Sequence, residues 1–262
     1  MQPVRLSVVV ITKNEEDKIV RCLESVKWAD EIIIVDDKSR DRTVEICRGL
    51  GARVISHQSD YNFDRQRNLG IDQARGEWIL QMDADEIVPM ELKSAIQKAI
   101  SEPSDYSAFK FRRKNFFLGH FMRYGGFYSG YLVKLFKRRA GHYIGHDIHE
   151  TIRIQGKLGT IQADIEHYPF KSISQNIERN NLYSTARARI MLQDFGASKT
   201  SEIRANLTHR PLKSFWKMYV KRRGYRDGMY GLVFCILFSF GPMLRWMKYW
   251  ELIRNKNEGN IS

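Results

Sequence analysis

Residues 65–86 read RQRNLGIDQARGEWILQMDADE. Apolar spacing predicts a helix over Asp64–Ala74, closed by Gly76, and then a strand over Glu77–Met82. That strand delivers Asp83, Asp85 and Glu86 at its carboxyl end. The same alternation extends toward the N-terminus. Leu6–Thr12 (LSVVVIT) is a continuous apolar, largely β-branched run, as a parallel strand needs when both its faces are covered. Glu15–Trp28 then sets Ile19, Cys22, Leu23 and Val26 on one helical stripe. Glu31–Val35 is a second buried strand, Asp41–Leu50 a helix stopped by Gly51, and Arg53–Ser56 a third strand. Downstream, a helix opens near Pro89 and runs through Leu92, Ile96 and Ala99. Strand and helix in alternation mean βαβ units. The expectation is an α/β fold with one Rossmann-type, mostly parallel sheet and helices on both faces.

From Tyr106 to His167 the pattern changes to alternating and aromatic runs, FKFRRKNFFLG and YLVKLFKRRAG, broken by glycines such as Gly125-Gly126. These read as antiparallel strands and loops. Ser172–Phe195 is helical again, with Gly196 as its stop. The last sixty or so residues interleave Lys213, Lys217, Lys221, Arg222, Arg223 and Arg226 with Phe215, Trp216, Met218 and Tyr219. Gly228–Leu244 follows without a charge, and Arg245, Trp246, Lys248, Tyr249 and Trp250 close it. The uncharged run is about the minimum for crossing a bilayer, and Gly241-Pro242 interrupts it. Its flanks suit the lipid headgroup level, which favours a re-entrant or surface-lying element; a buried core helix is the alternative. The expected organisation is an alternating α/β half at 1–105, a part of mixed strands and loops of the same domain at 106–170, and a helical membrane-associating region at 171–262.

The 262 residues carry a net charge of +13, so an anionic partner is expected. With 43% hydrophobic and 28% charged residues, a disordered chain is excluded. Three scattered cysteines make no CxxC pair, which argues against a disulfide framework and for a reducing compartment. The opening MQPVRLSVVVITKNEE has too short an apolar run for a signal peptide, so a cytoplasmic location is expected.

Ligands of such sheets gather at the carboxyl ends of the strands. Three polar clusters fall there: Thr12-Lys13-Asn14-Glu15, Asp36-Asp37 and Asp83-Ala84-Asp85-Glu86. None contains GxGxxG or a P-loop, which disfavours dinucleotide dehydrogenases and Walker-type NTPases. Two carboxylates two residues apart can offer oxygens to one hard cation, Mg²⁺ or Mn²⁺, shared with a substrate diphosphate. A lone DxD is a common triplet; its place after a buried strand, with Asp-Asp after another, gives it weight.

These residues resemble the inverting family 2 glycosyltransferases, which have the GT-A fold. SVVVITKNE resembles the family's opening strand and turn, IIIVDDKSRDRT its VDDxSxDxT signature, and residues 65–86 its RN…G…DAD-E block. The chain is most similar to bacterial enzymes that add glucose or a similar sugar to the lipopolysaccharide inner core. That subgroup also shares YLVKLFKRR, GHDIHET, EHYPF and KRRGYRDGMYGL. One departure is Ile11, where many members have proline.

The resemblance implies that Thr12, Asn14 and Glu15 line the nucleotide pocket and that Asp37 binds the uracil. It implies Arg67 and Asn68 near the ribose-diphosphate, Asp83 on the ribose and sugar side, and Asp85 as metal ligand. Structural alternatives are that Asp36 caps its turn, Arg65 is a solvated helix charge, and Glu86 caps the helix near Pro89. An inverting transfer needs a base, and GHDIHE supplies His146, Asp147, His149 and Glu150. Glu150 is the expected base and Asp147 the reserve; His149 would be a metal ligand or would orient Glu150. The alternative is that these residues close a loop and touch nothing reactive.

The expected partners are a UDP-sugar donor, a lipid-linked or lipopolysaccharide-core acceptor, and an anionic membrane surface at the cytoplasmic face of the inner membrane. The protein would be peripheral or monotopic there. Arg112-Arg113-Lys114 and Lys137-Arg138-Arg139 would meet headgroups and phosphorylated sugars. A polyprenyl-phosphate or protein acceptor is the alternative. A non-enzymatic nucleic-acid binder leaves the ordered carboxylates unexplained, because without a metal they repel phosphate.

Overall fold

A computed structural model of the chain describes residues 5–59, 62–128, 130–144 and 152–257. They form two compact units, residues 1–114 with 129–167, and residues 115–128 with 168–262. The segment 115–128 thus belongs with the C-terminal helices, although 106–170 reads in sequence as one piece.

In the first unit the described elements begin with β1 (Leu6–Thr12), α1 (Ile19–Val26), β2 (Glu31–Asp36), α2 (Thr43–Gly49) and β3 (Arg53–Ser56). Next come α3 (Phe63–Gln73), β4 (Trp78–Asp83), β5 (Glu86–Ile87) and α4 (Met90–Ser101). β6 (Tyr106–Phe117) runs from this unit into the second, where β7 (His120–Phe121) pairs with its end. The first unit resumes with β8 (Tyr131–Lys137), β9 (Gly141–Tyr143), β10 (Ile152–Ile154) and β11 (Lys157–His167). The sheet order is β3-β2-β1-β4-β8-β6-β11-β5. The β3, β2, β1 and β4 pairings are parallel; β4–β8, β8–β6 and β11–β5 are antiparallel. The sheet is therefore mixed, with its parallel half in the first hundred residues.

The apolar runs of β1, β2 and β4 divide between two cores because successive side chains point to opposite faces. Leu6, Val8 and Val10 join Ile34, Leu80 and the buried stripe of α1, together with Leu92 and Ile96 of α4. Val9, Ile33 and Ile79 meet Ile71 of α3 and Phe136 of β8 on the other face. Helices thus cover both faces, as the uninterrupted apolar strands require. The edge away from the ligand side is tied by Glu31, which accepts from Ser7 Oγ (2.6 Å), Arg75 N (2.9 Å) and Arg75 Nε (2.9 Å).

The second unit holds α5 (Ile173–Phe195), α6 (Thr200–Leu207), α7 (His209–Trp216), α8 (Gly228–Phe240) and α9 (Met243–Asn257). α5 opens on Ser172, whose Oγ accepts from Gln175 N, and closes on Gly196 at φ 52°. Trp246, Tyr249 and Ile253 of α9 pack on Ala188 and Met191 of α5 and Ile203 of α6. Phe234 and Cys235 of α8 pack with Phe117 and Met122. By length and composition, the helical segment Gly224–Lys256 could cross a membrane.

Candidate active site

The register of the parallel strands assembles the site. β1 pairs Thr12 with Asp36 on one side and Ile11 with Asp83 on the other. All three polar clusters therefore emerge at one sheet edge. Asp37 N donates to the Thr12 carbonyl (2.9 Å), while the buried Thr12 hydroxyl has no hydrogen-bond partner among the described residues.

Around Asp36-Asp37 the loops lock onto each other. Asp36 accepts from Ser39 N and Ser39 Oγ, so it caps its own turn. Asn14, at φ 52°, receives Arg40 N on its side-chain oxygen (2.8 Å) and donates its own N–H to Ser39 Oγ (2.8 Å). Glu15 is buried; its N–H bonds Thr43 Oγ1 and its carboxylate pairs with Lys18 at 3.0 Å. Asp37 takes Ser59 N, Ser59 Oγ and Lys13 Nζ. Burial alone would raise its pKa, but Lys13 and Ser59 hold the carboxyl below the usual range.

Asp83, Asp85 and Glu86 occupy three different environments. Asp83 meets Arg67 (3.1 Å) and Lys134 (3.5 Å), and Arg67 also faces Asp64 (3.6 Å). Against the cost of burial, Lys134, Arg67 and Arg113 hold Asp83 far below the usual carboxylate range. Glu86 is fully buried and accepts from Asp83 N (2.9 Å) and Lys134 Nζ (2.6 Å), with Arg113 at 3.7 Å. Burial nevertheless raises its pKa, with Asp83 adding to the rise. Glu86 belongs to β5 and to this network, not to the cap of α4, where Pro89 takes the N-cap position. Asp85 instead faces His167 at 3.5 Å. Burial would push its pKa up, but the imidazole of His167 more than offsets this and lowers it.

A carboxylate and an imidazole side by side fit a divalent cation. Among the described residues no three His, Cys, Asp or Glu side chains converge on one point. Two protein donors suit Mg²⁺ or Mn²⁺, which is commonly held by one or two carboxylates plus substrate phosphates.

Arg67 is buried beneath the site and lies 5.3 Å from the Tyr143 ring centroid. Asn68 uses both ends of its amide on the backbone of Tyr143, at 2.7 and 2.9 Å. Tyr143 OH also bonds Gln81 Oε1 (3.1 Å), and Tyr143 pairs with Ile152 across the β9–β10 ladder. Asp147, His149 and Glu150, with His146, lie outside the described residues. Sequence reading missed Lys134 and His167. A lysine inside the apolar strand YLVKLFK, and the histidine of EHYPF closing β11, were the signals available. Arg113, expected at a lipid surface, turns to Glu86 because a fully buried carboxylate demands a cation; Arg138 donates to the Ala74 carbonyl (3.1 Å).

A mixed α/β sheet with three polar clusters and a carboxylate–histidine pair at one edge is a GT-A-like architecture. The chain belongs to glycosyl transferase family 2, whose model matches residues 7–156. It is 28% identical over 97% of its length to 89% of an uncharacterized glycosyltransferase of Rickettsia typhi. It is 23% identical, over 87% of its length and 85% of the relative's, to the lipopolysaccharide core biosynthesis glycosyltransferase LpsC of Rhizobium meliloti. Residues 1–349 of S. aureus TarS in complex with UDP align over 97% of this chain and 92% of that one, at 16% identity and a TM-score of 0.48. At that score the structural likeness is loose.

Proposed function

We propose that the chain is a metal-assisted, inverting glycosyltransferase that moves a hexose, glucose or a close relative, from a UDP-sugar to a hydroxyl of a lipopolysaccharide-core or other lipid-linked glycan. The observation that carries this reading is the separation of Asp85, facing His167, from Asp83, which arginine and lysine neutralise, at the ligand edge of the sheet. One carboxylate is thereby kept for a cation and the other holds the strand end rigid. Asp85 and His167 are the residues that would hold the divalent cation, which supplies Lewis-acid charge to the leaving diphosphate. Thr12 and Asp37 face the nucleoside: a buried hydroxyl without a partner among the described residues invites a hydrogen bond from the ligand, and the carboxylate of Asp37 suits a uracil N–H. Asn14 and Glu15 shape the same pocket by fixing the loop between β1 and α1.

In the transfer the acceptor oxygen attacks the anomeric carbon, a C–O bond to the sugar forms, and the bond to UDP breaks on the opposite face. The transition state has oxocarbenium character. Glu150 takes the hydroxyl proton, with Asp147 in reserve and His149 orienting Glu150 or joining the metal ligands. Support for Glu150 comes from its neighbours: Tyr143 and Ile152, which flank 144–151, pair with each other, and Tyr143 lies against Arg67 and Asn68. The core acceptor is supported by the similarity to LpsC, and association with a membrane by the apolar segment Gly224–Lys256.

The test is transfer of radiolabel from UDP-glucose, UDP-galactose and UDP-N-acetylglucosamine to delipidated core and to polyprenyl phosphate, with Mn²⁺ or with chelator. Chelator-sensitive transfer to core is expected. Transfer only to polyprenyl phosphate overturns the acceptor, and absence of any donor cleavage overturns the reading.

A further inference from the structure

The basic run ahead of the apolar segment folds as α7 continued by one π-helical turn, Lys217–Lys221. In that turn Arg222 N donates to the Lys217 carbonyl, five residues back, at 2.9 Å. The apolar side chains of the run divide between two faces. Phe215, Met218 and Tyr219, which alternate with the lysines in sequence, turn inward onto the cluster of Phe117 and Phe234. Leu212, Trp216 and Val220 turn outward and are 61%, 50% and 45% exposed. These three stand four residues apart. Steps of four drift by about 40° in an α-helix, and the wider turn after Trp216 takes that drift back. One straight apolar stripe therefore faces outward on a segment that already has a buried face of its own.

Each stripe residue is followed by a lysine, Lys213, Lys217 and Lys221, all exposed. Lys221 Nζ lies 4.8 Å from the Trp216 ring centroid, so a cation sits on the outward indole. Residues 203–226 carry eight Lys and Arg and no Asp or Glu, although the chain has 30 acidic residues among its 262. Single surface apolar residues are ordinary. Three in line, each beside a lysine in a run without a carboxylate, need an occupant that is both apolar and anionic. Nucleic acid would satisfy the lysines and set Leu212 and Val220 against phosphate. A second copy of a chain of net charge +13 would be repelled. A bilayer with anionic headgroups suits both halves: the stripe enters the acyl boundary, and the lysine stems reach back to the phosphates.

We propose that the outward face of α7 and its π-helical turn is a docking surface for an anionic lipid bilayer, with the helix lying in the headgroup plane. Leu212, Trp216 and Val220 insert, and Lys213, Lys217 and Lys221 hold the phosphates. The inference rests on the membrane part of the reading above and moves the first contact ahead of Gly224–Lys256. It does not depend on the transferase chemistry.

The test is flotation of the full chain with vesicles of phosphatidylglycerol and phosphatidylcholine, and with phosphatidylcholine alone. Two variants alter the face, Leu212→Ser/Trp216→Ser/Val220→Ser and Lys213→Gln/Lys217→Gln/Lys221→Gln. Two controls, Val20→Ser/Leu50→Ser/Met90→Ser and Lys27→Gln/Arg48→Gln/Lys98→Gln, remove as many exposed apolar groups and cations from the first unit. The wild type and both controls should bind the anionic vesicles alike. Each α7 variant should lose affinity by about tenfold or more, at an unchanged melting temperature. Binding by the wild type with equal loss in variants and controls, or with no loss in any, overturns the face and leaves the membrane reading standing. Absence of wild-type binding to either vesicle overturns both. Loss in the lysine variant alone overturns the apolar stripe. A dimer that the serine variant dissolves, with vesicle binding unchanged, overturns the bilayer in favour of a second copy. If the triple serine variant melts early, Trp216→Ser alone decides: its affinity should still fall several-fold, and equality with wild type overturns the stripe.

Discussion

Lys134 is the residue on which the site's ion network turns. It is almost fully buried, it bonds Glu86 at 2.6 Å, and it reaches Asp83 at 3.5 Å. Replacing it by methionine keeps the volume and leaves the buried Glu86 and the partly buried Asp83 short of a cation. Breaking a buried pair from one side costs about 3–5 kcal/mol, so Lys134→Met should lower stability by about that much at neutral pH. The sign of the pH dependence follows from Asp83. Its folded pKa lies below the unfolded value, so its contribution is present above about pH 4 and fades as pH falls toward the folded pKa. The gap between wild type and Lys134→Met, measured by urea unfolding, should therefore narrow on acidification. A gap that stays constant from neutral pH to pH 3 would show that Lys134 acts through packing. Asp85→Asn should behave in the opposite way, leaving stability nearly untouched and cutting metal-stimulated transfer by about a hundredfold or more. Normal activity in that variant removes the metal role.

At the scale of elements, α3 is what connects fold to chemistry, for it carries Arg67 and Asn68 and lies on β1 through Gly70. A Cβ at Gly70 would run into Val9 Cγ1 and touch Val35 at 3.0 Å, both branched side chains inside the sheet. Gly70→Ala should thus cost about 1–3 kcal/mol by overpacking and shift Arg67 away from Asp83. A melting temperature equal to wild type would mean that the helix rides over the sheet without strain. This helix and the strand after it were legible in the sequence, as were β1 to β3, because their signals are local: an apolar run, a stripe at helical spacing, a glycine stop. Asp36 as a turn cap and Ser172–Phe195 as a helix were legible for the same reason. What sequence could not show was pairing across distance. Nothing near Asp85 in sequence points to His167 of β11, and nothing in YLVKLFK says which carboxylates Lys134 meets. The assignment of 115–128 to the helical unit is likewise set by Phe117 and Met122 packing on Phe234, more than a hundred residues away.

For the whole molecule, a net charge of +13 and the apolar helical segment Gly224–Lys256 bear on binding to a bilayer by two routes that can be told apart. The basic residues of Lys213–Arg226 precede the apolar Gly228–Phe240, exposed Trp216 and Trp250 lie on either side of it, and exposed Tyr230 lies within it. Long-range attraction and apolar insertion respond differently to salt. The first is screened within about 8 Å at physiological ionic strength; the second gains on the order of 25 cal/mol per Å² and does not weaken with salt. A protein held only by charge should leave vesicles of phosphatidylglycerol and phosphatidylcholine when salt is raised after binding. A protein whose α8 segment enters the headgroup and acyl boundary should bind more slowly at high salt, yet stay bound once seated and yield only to detergent. We expect the second behaviour, because the cationic run Lys213–Arg226 leads directly into the apolar α8. Flotation of the bound fraction at 0.5 M salt, on the order of a 4 Å screening length, measures it. Full release at that salt would assign the association to charge alone and return Gly228–Phe240 to the interior of the helical unit.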